Sequence, residues 1–250
     1  MKPLETHASY IYGKQPVLEA LKGASEIEKI WVQAGTRNET LTEITTLARE
    51  KGVGVQQVPA EKLQYLTRTP HHQGVAAYIA RIHYHDYTEV IDDLLHAGEK
   101  PFILLLDGVT DVRNLGAIAR TAYGMGVHAI ILPLKGAAPV NSETIKSSAG
   151  AIQHLKVCRV PHLLDVVRYL QQYNIPCIAL EGKGAVAAVD ADLELPLAVI
   201  VGDEHRGIDR RLLQETSKVV RLPIQHALDS YNVSVATAML LYEITRKQQG

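Results

Sequence analysis

With 250 residues, the chain can form one large or two small domains, and at 46% hydrophobic it can bury a sizeable core, which excludes a disordered chain. A formal charge of −1 and a pI near 6.8 exclude a uniformly basic nucleic-acid coat, while leaving room for a local basic surface. Cys158 and Cys177 lie apart in apolar runs without metal-ligand spacing, no apolar run reaches bilayer length, and the N-terminus lacks a signal-peptide core. The expectation is a soluble, cytoplasmic protein without membrane contact.

Residues 1–9 are polar. The run IYGKQPVLEALKG that follows Tyr10 predicts a short helix entered near Gln15-Pro16 and stopped by Gly23. Ile27 to Val32 predicts a strand. Thr40 with Glu43 three residues on has the form of a capping box, opening a helix through Lys51 that Gly52 ends. Val53 to Val58 is a second strand, Pro59 and Glu61 start a short helix, and Gly74 to Ile79 is a third strand. This alternation makes residues 1–82 a small α/β domain. His71, His72 and Gln73 read equally as a polar loop before a strand or as nucleic-acid contacts.

Residues 83–100, polar and tyrosine-rich, read as a linker with one helix from Glu89 to His96, and a second domain spans 101–250. Its predicted strands are Phe102 to Leu106, His128 to Leu132, Leu155 to Val160, Ile175 to Leu180, Leu197 to Val201 and Val219 to Leu222. Its predicted helices run from Asn114 to Met125, from Asn141 into Ser147, from His162 to Tyr173 and from Ile208 to Glu215. Repeated β–α alternation with apolar strands implies an α/β fold with a mostly parallel sheet covered on both faces. A last helix follows Asn232, a good N-cap, and aligns Val233, Ala236, Thr237, Leu240 and Ile244 on one face.

Several residues stand where chemistry can occur. Gly202 directly follows the apolar run AVIV, where a glycine lets a ligand approach the backbone. Gly202 and Leu222 both end predicted strands, the side on which open α/β sheets bind ligands, and Tyr231 lies in the next loop. Ser230 and Asn232 precede a helix N-terminus, whose free N–H groups suit a polar ligand, although Asn232 is equally explained as a cap. Gly116 and Arg120, four apart, share a helix face that leaves room for a bulky substrate group; alternatively Arg120 is an ordinary surface arginine. Glu204 is placed to orient Asn114 or the last helix. Arg113 and Arg206 read as phosphate contacts or solvated cations. No strand is followed by GxGxxG and no GxxxxGK[ST] occurs, which disfavours dinucleotide and P-loop chemistry. The eleven histidines form no HExxH pattern, and no metal is expected.

Three stretches carry a resemblance. DGVTDVRNLGAIARTA (residues 107–122), VIVGDEHRGI (199–208) and LPI followed by SYNVSVA (222–236) resemble, in order, the three motifs of the SpoU (TrmH-like) RNA ribose 2′-O-methyltransferases of the SPOUT class. YGKQPVLEAL and HHQGVAAYI resemble the substrate-binding domain often fused to them, which is similar to ribosomal protein L30e. The resemblance implies S-adenosylmethionine as cofactor, in a pocket lined by Gly202, Leu222 and Tyr231, the last in place of the more usual leucine. It implies catalytic roles for Arg120, Asn114, Glu204, Ser230 and Asn232. Arg120 is the family's activator of the ribose 2′-hydroxyl, but a guanidinium stays protonated at neutral pH, which favours stabilising the alkoxide over acting as a base. It further implies a carboxy-terminal trefoil knot, a homodimer, and RNA as partner. The subgroup resembled methylates a guanosine of large-subunit (23S) ribosomal RNA. Alternatives are a transfer-RNA enzyme of the same family, or a non-catalytic RNA-binding protein.

Overall fold

A computed structural model describes residues 10–23, 27–36, 38–79, 82–203, 206–225 and 229–249. Two compact units result: one runs to His83 and takes in Pro139–Ser142, and the other comprises Tyr84–Ala138 and Glu143–Gly250.

The first unit contains β1 (Tyr10–Tyr12), α1 (Lys14–Lys22), β2 (Ile27–Gln33), α2 (Glu39–Glu50), β3 (Gly54–Val58), α3 (Ala60–Thr67) and β4 (Val75–Ile79). The sheet order is β1-β4-β2-β3; β2 and β3 are parallel, the other pairs antiparallel. Strand alternation decides the layers. Ile30, Val32, Val75 and Ala77 turn to one face and pack with Val17, Leu18 and Leu21 of α1 and Leu41, Ile44 and Ala48 of α2. On the other face Leu63 of α3 packs with Val58, Ala76 and Trp31.

Local chemistry shifts some expected boundaries. Tyr10–Tyr12 is a strand because each residue pairs with β4, a partner distant in sequence. Helix α1 starts after Gly13, whose φ of 93° suits glycine, and the Lys14 N–H donates to Gln73 Oε1. The α2 cap is Asn38 rather than Thr40: its side chain accepts from the Thr40 N–H, placing Thr40 within the first turn. Buried His72 accepts the Gly74 N–H on Nδ1. Two of the three residues at 71–73 therefore hold the loop together.

The second unit contains β5 (Tyr84–His85), α4 (Tyr87–His96), β6 (Phe102–Asp107), α5 (Val112–Gly124), β7 (Ala129–Pro133), α6 (Ser142–Ser147), a 3-10 turn (Ala151–Gln153), β8 (Lys156–Val160), α7 (Leu163–Gln172), β9 (Cys177–Leu180), β10 (Val186–Ala187), β11 (Leu197–Gly202), α8 (Arg210–Glu215), β12 (Lys218–Arg221) and α9 (Val233–Gln248). The eight strands run in the order β10-β12-β9-β11-β6-β7-β8-β5, every pair parallel. Ile103, Leu105, Ile131, Ala179 and Ile200 join α4, α7 and α8 in one core layer. Leu104, Leu106, Val199 and Val201 are equally buried, while α5 packs on α9 and α9 on β11. The mostly parallel α/β sheet expected from the apolar strands is present.

Residues 83–100 are not a linker. Tyr84 and His85 pair with β8, Asp86 caps α4 by accepting from the Thr88 and Glu89 N–H groups, and Val90 and Ile91 are buried against α7. The polar outer face of α4 masks this role in the sequence. Helix α5 likewise starts at Val112, because Asp111 accepts from the Arg113 and Asn114 N–H groups. Asn114 thus lies in the first turn.

Candidate active site

Beyond the carboxyl ends of β9, β11 and β12, and in front of the first turn of α9, lies a pocket of about 450 Å³. Leu180, Val201, Leu222, Ile224, Val233 and Ala236 give it apolar walls; Glu181, Lys183, Asp203, Arg206, Asp229 and Ser230 supply polar groups. This is the ligand-binding end of a parallel sheet.

Gly202 lines the pocket, but its lack of a side chain has an internal cause. A methyl group added there would lie 2.4 Å from the Gly207 carbonyl carbon and 2.7 Å from the Ile208 nitrogen. The chain itself, rather than a ligand, makes the close approach. The loop after β11 is pinned from three sides. The Arg206 N–H donates to Asp203 Oδ1 (3.0 Å), the Ile208 N–H to Glu181 Oε1 (2.8 Å), and the Asp209 N–H to Asp107 Oδ2 (2.8 Å). Glu204 and His205 lie outside the described residues.

Leu222 is buried in the pocket wall. Tyr231 also lines the pocket, and its hydroxyl donates to the Pro223 carbonyl at 2.9 Å, tying the two ends of the loop between β12 and α9. Asn232 caps α9 by accepting from the Ser234 and Val235 N–H groups. Its Nδ2 donates to Asn114 Oδ1 at 3.1 Å, joining residues 118 apart in sequence. Capping and bridging therefore coexist in one side chain. On α9, Val233, Thr237, Leu240 and Ile244 are buried, as is Leu241, while Ala236 is half-buried.

Arg120 is exposed on α5, six residues past Asn114 and hence about 9 Å along the axis. It does not line the pocket, and it makes no ion pair or side-chain hydrogen bond among the described residues. Gly116 leaves no space for substrate. A methyl group there would sit 1.9 Å from Ser147 Oγ and 2.9 Å from the Thr144 carbonyl oxygen, so glycine serves the contact of α5 with α6. The pocket thus gathers Gly202, Leu222, Ser230 and Tyr231, Asn114 and Asn232 are joined beside it, and Arg120 stands apart.

Glu181 was not among the residues singled out from sequence. It follows β9, so the strand-end rule applied to that strand finds it. Burial pushes the Cys158 and Cys177 thiols up to about 12, so neither is a ready nucleophile. Among the described residues no cluster of His, Cys, Asp and Glu could hold a metal ion, and no helix is long and apolar enough to cross a membrane.

Comparison with known proteins bears on this geometry. The sequence pattern of the SpoU rRNA Methylase family matches residues 101–242, more than half the chain. The chain belongs to that family. The pattern for RNA 2′-O ribose methyltransferase substrate binding matches residues 10–85 of this SpoU protein. YacO of Bacillus subtilis, assigned to the TrmH family of tRNA/rRNA methyltransferases, is 32% identical over 239 residues, covering 96% of each chain. The SpoU methyltransferase AviRb from Streptomyces viridochromogenes, solved in complex with the cofactor AdoMet, superimposes with a TM-score of 0.61 at 20% identity, over 96% of this chain and 90% of that one. An RNA 2′-O ribose methyltransferase crystal structure gives a TM-score of 0.56 at 25% identity over 96% and 89%. The protein is an RNA methyltransferase of the SpoU/TrmH family.

Proposed function

We propose that the protein is an S-adenosylmethionine-dependent RNA ribose 2′-O-methyltransferase acting on a guanosine of 23S ribosomal RNA. The observation that carries the reading is the pocket at the ends of β9, β11 and β12, linked through the Asn232–Asn114 bond to the first turn of α5. Its volume lies in the range that encloses a small organic ligand, and its mixture of apolar walls and polar rim suits a nucleoside carrying an amino-acid chain. Gly202, Leu222 and Tyr231 would hold the cofactor largely through backbone groups, and Glu181 is available to its ribose hydroxyls. When bound, the cofactor supplies an activated methyl group on a sulfonium.

The chain's own task is to bring the ribose 2′-oxygen into line with that methyl group, exclude water, and stabilise the charge that develops as the 2′-hydroxyl proton leaves. Arg120 stabilises the developing alkoxide and grips a neighbouring phosphate. Asn114 and Asn232 fix the ends of α5 and α9 relative to one another, with Ser230 on the nucleotide side. Glu204 belongs to the same proposal as an orienting residue.

Arg120 is displaced from its own pocket, which supports a homodimer in which each copy supplies the arginine to the other. Helix α9 exposes Val235, Met239 and Tyr242 at i, i+4 and i+7, and Tyr123 is exposed on the neighbouring α5. Such an apolar stripe fits a second copy of the same surface. Sedimentation showing a monomer at micromolar concentration overturns the dimer. The proposal includes the trefoil knot. It is supported by contacts of the α9 end with the segment before β11: Lys247 Nζ donates to the Val189 and Ala191 carbonyls, and Gln248 Nε2 to that of Leu193.

The test is transfer of labelled methyl from S-adenosylmethionine to unmodified ribosomal RNA and, separately, to transfer RNA, followed by digestion to nucleosides. Label in 2′-O-methylguanosine from 23S RNA is expected, with Arg120→Ala slower by about 10²–10³-fold. Label in transfer RNA alone overturns the substrate. A protein that binds no S-adenosylmethionine by calorimetry overturns the enzyme in favour of an RNA-binding protein.

A further inference from the structure

The face of the first unit's sheet turned away from α1 and α2 is not finished as a core. Strand alternation places positions 10 and 12 of β1, 76 and 78 of β4, 29, 31 and 33 of β2, and 54, 56 and 58 of β3 on that face. None of these positions is a carboxylate. Their aliphatic members, Val58 and Ala76, are buried with Leu63 of α3. What is left is four aromatics (Tyr10, Tyr12, Trp31 and Tyr78), Lys29, two glutamines and Gly54. The Tyr10 ring lies 5.8 Å from Trp31 and 5.3 Å from Tyr78 between centroids, and Lys29 Nζ stands 5.4 Å from the Trp31 ring centroid.

Helix α3 extends the same chemistry. It packs on β1, β2 and β4 through Leu63, and so presents Tyr65 outward, 77% exposed. Lys62 Nζ lies 5.4 Å from the Tyr65 ring centroid, a second cation–aromatic pair. Arg68, exposed at the end of α3, continues the spacing of Lys62 and Tyr65 by three more residues. The Tyr10 phenol is held above its ordinary value by burial and by the influence of Tyr65; α3, which carries Tyr65, packs against β1, which carries Tyr10.

We infer that this face is a binding platform for unpaired RNA nucleotides, with bases stacking on Tyr65 and against the Tyr10–Trp31 pair, and with Lys29, Lys62 and Arg68 taking the phosphates. The inference rests on the reading that the protein acts on RNA, and it names a place on the chain that the catalytic pocket does not include. The occupant follows from the chemistry. Every base has a π face, so rings flanked by amines hold single strands irrespective of sequence. A paired A-form helix keeps its bases stacked inward and offers such rings little. An apolar peptide would need exposed aliphatic surface, which α3 already covers. Overall charge is −1, so attraction for RNA depends on local clusters of this kind.

Trp31 is the sole tryptophan of the chain, which makes the platform directly observable. The full-length protein is titrated with a short unstructured single-stranded RNA and with a fully paired duplex of the same sequence, following tryptophan emission. Quenching by the single strand at lower concentration than by the duplex is expected. Tyr65→Ala weakens single-strand binding about tenfold, Tyr65→Phe restores it, and Lys62→Gln weakens it with a shallower dependence on salt. RNA binding that leaves Trp31 emission unchanged overturns the platform, as does an unchanged affinity in Tyr65→Ala or an equal loss for duplex and single strand. The titration contains no cofactor, so its result is independent of whether the second unit binds S-adenosylmethionine.

Discussion

The two units use their sheets in opposite ways. In the second, eight parallel strands are covered on both faces, and residues such as Leu104 and Leu105 at the centre are fully buried. A strand buried on both sides offers side chains to a ligand only at its end, as Leu180 and Val201 do. Functional groups therefore come from strand ends, loops and helix starts, and much depends on how closely backbone approaches backbone. In the first unit α1 and α2 finish one face, and α3 covers only part of the other. There the sheet's own side chains, Tyr10, Lys29 and Trp31, remain available. The contrast separates a sheet that leaves only its strand ends open from one that leaves part of a face of side chains open.

The contrast can be broken first at Gly202. Gly202→Ala sets a methyl group against backbone atoms at 2.4–2.7 Å, which cannot rotate away. A loss of about 3 kcal/mol is expected, lowering Tm by roughly 10 °C and abolishing cofactor binding, as thermal melts and calorimetry would show. Unchanged stability would mean that the loop after β11 yields easily. Gly116→Ala meets Ser147 Oγ, which can turn, as well as Ser147 Cβ and the Thr144 carbonyl, which cannot. The expected cost is about 2 kcal/mol. Asn232 sharpens the comparison, because its two duties can be parted. Asn232→Ala should cost about 1 kcal/mol through the lost cap, together with methyl transfer. Asn232→Asp keeps an acceptor for the cap but removes the donor to Asn114, so it should regain stability and not activity.

A smaller effect concerns His128, whose Nδ1 accepts the Phe102 N–H at 3.0 Å. Burial lowers its pKa, outweighing the opposing influence of Glu99. The folded state favours the neutral ring, so its contribution is present above the ordinary value of 6.5 and is lost as pH falls through the lower folded value. Denaturant titrations from pH 7.5 downward should show this loss, and His128→Gln should flatten it. In the first unit, by contrast, Tyr65→Ala should shift stability by less than about 0.5 kcal/mol, because an exposed ring contributes little to a core.

Much of this was legible in the chain. Asn232 announced its helix, and the apolar face from Val233 to Ile244 needed only the helical period. The long strands of the second unit were visible because burial on both faces leaves an unbroken apolar run. The shortest edge strands were not: β1, β5 and β10 are two or three residues long, and their pairing is decided by partners far away in sequence. Caps went astray where two polar residues competed, as with Asn38 and Thr40, or Asp111 and Asn114. The candidate pocket was legible in outline, since Gly202, Leu222, Ser230 and Tyr231 all line it. The reasons for its glycines were not, because they depend on Gly207 and Ser147, neighbours that only the folded chain brings near.

The register between β6 and β11 also imposes an order in time. Phe102 pairs with Leu197, whereas the four-stranded sheet of the first unit closes within residues 10–79. During synthesis the first sheet is complete while the middle of the second still waits for its partner strand. Until Leu197–Gly202 emerges, Ile103, Leu104 and Leu105 present an apolar strand with one bare edge, a template for pairing with other chains. Polypeptides cut short between β7 and β11 should therefore aggregate.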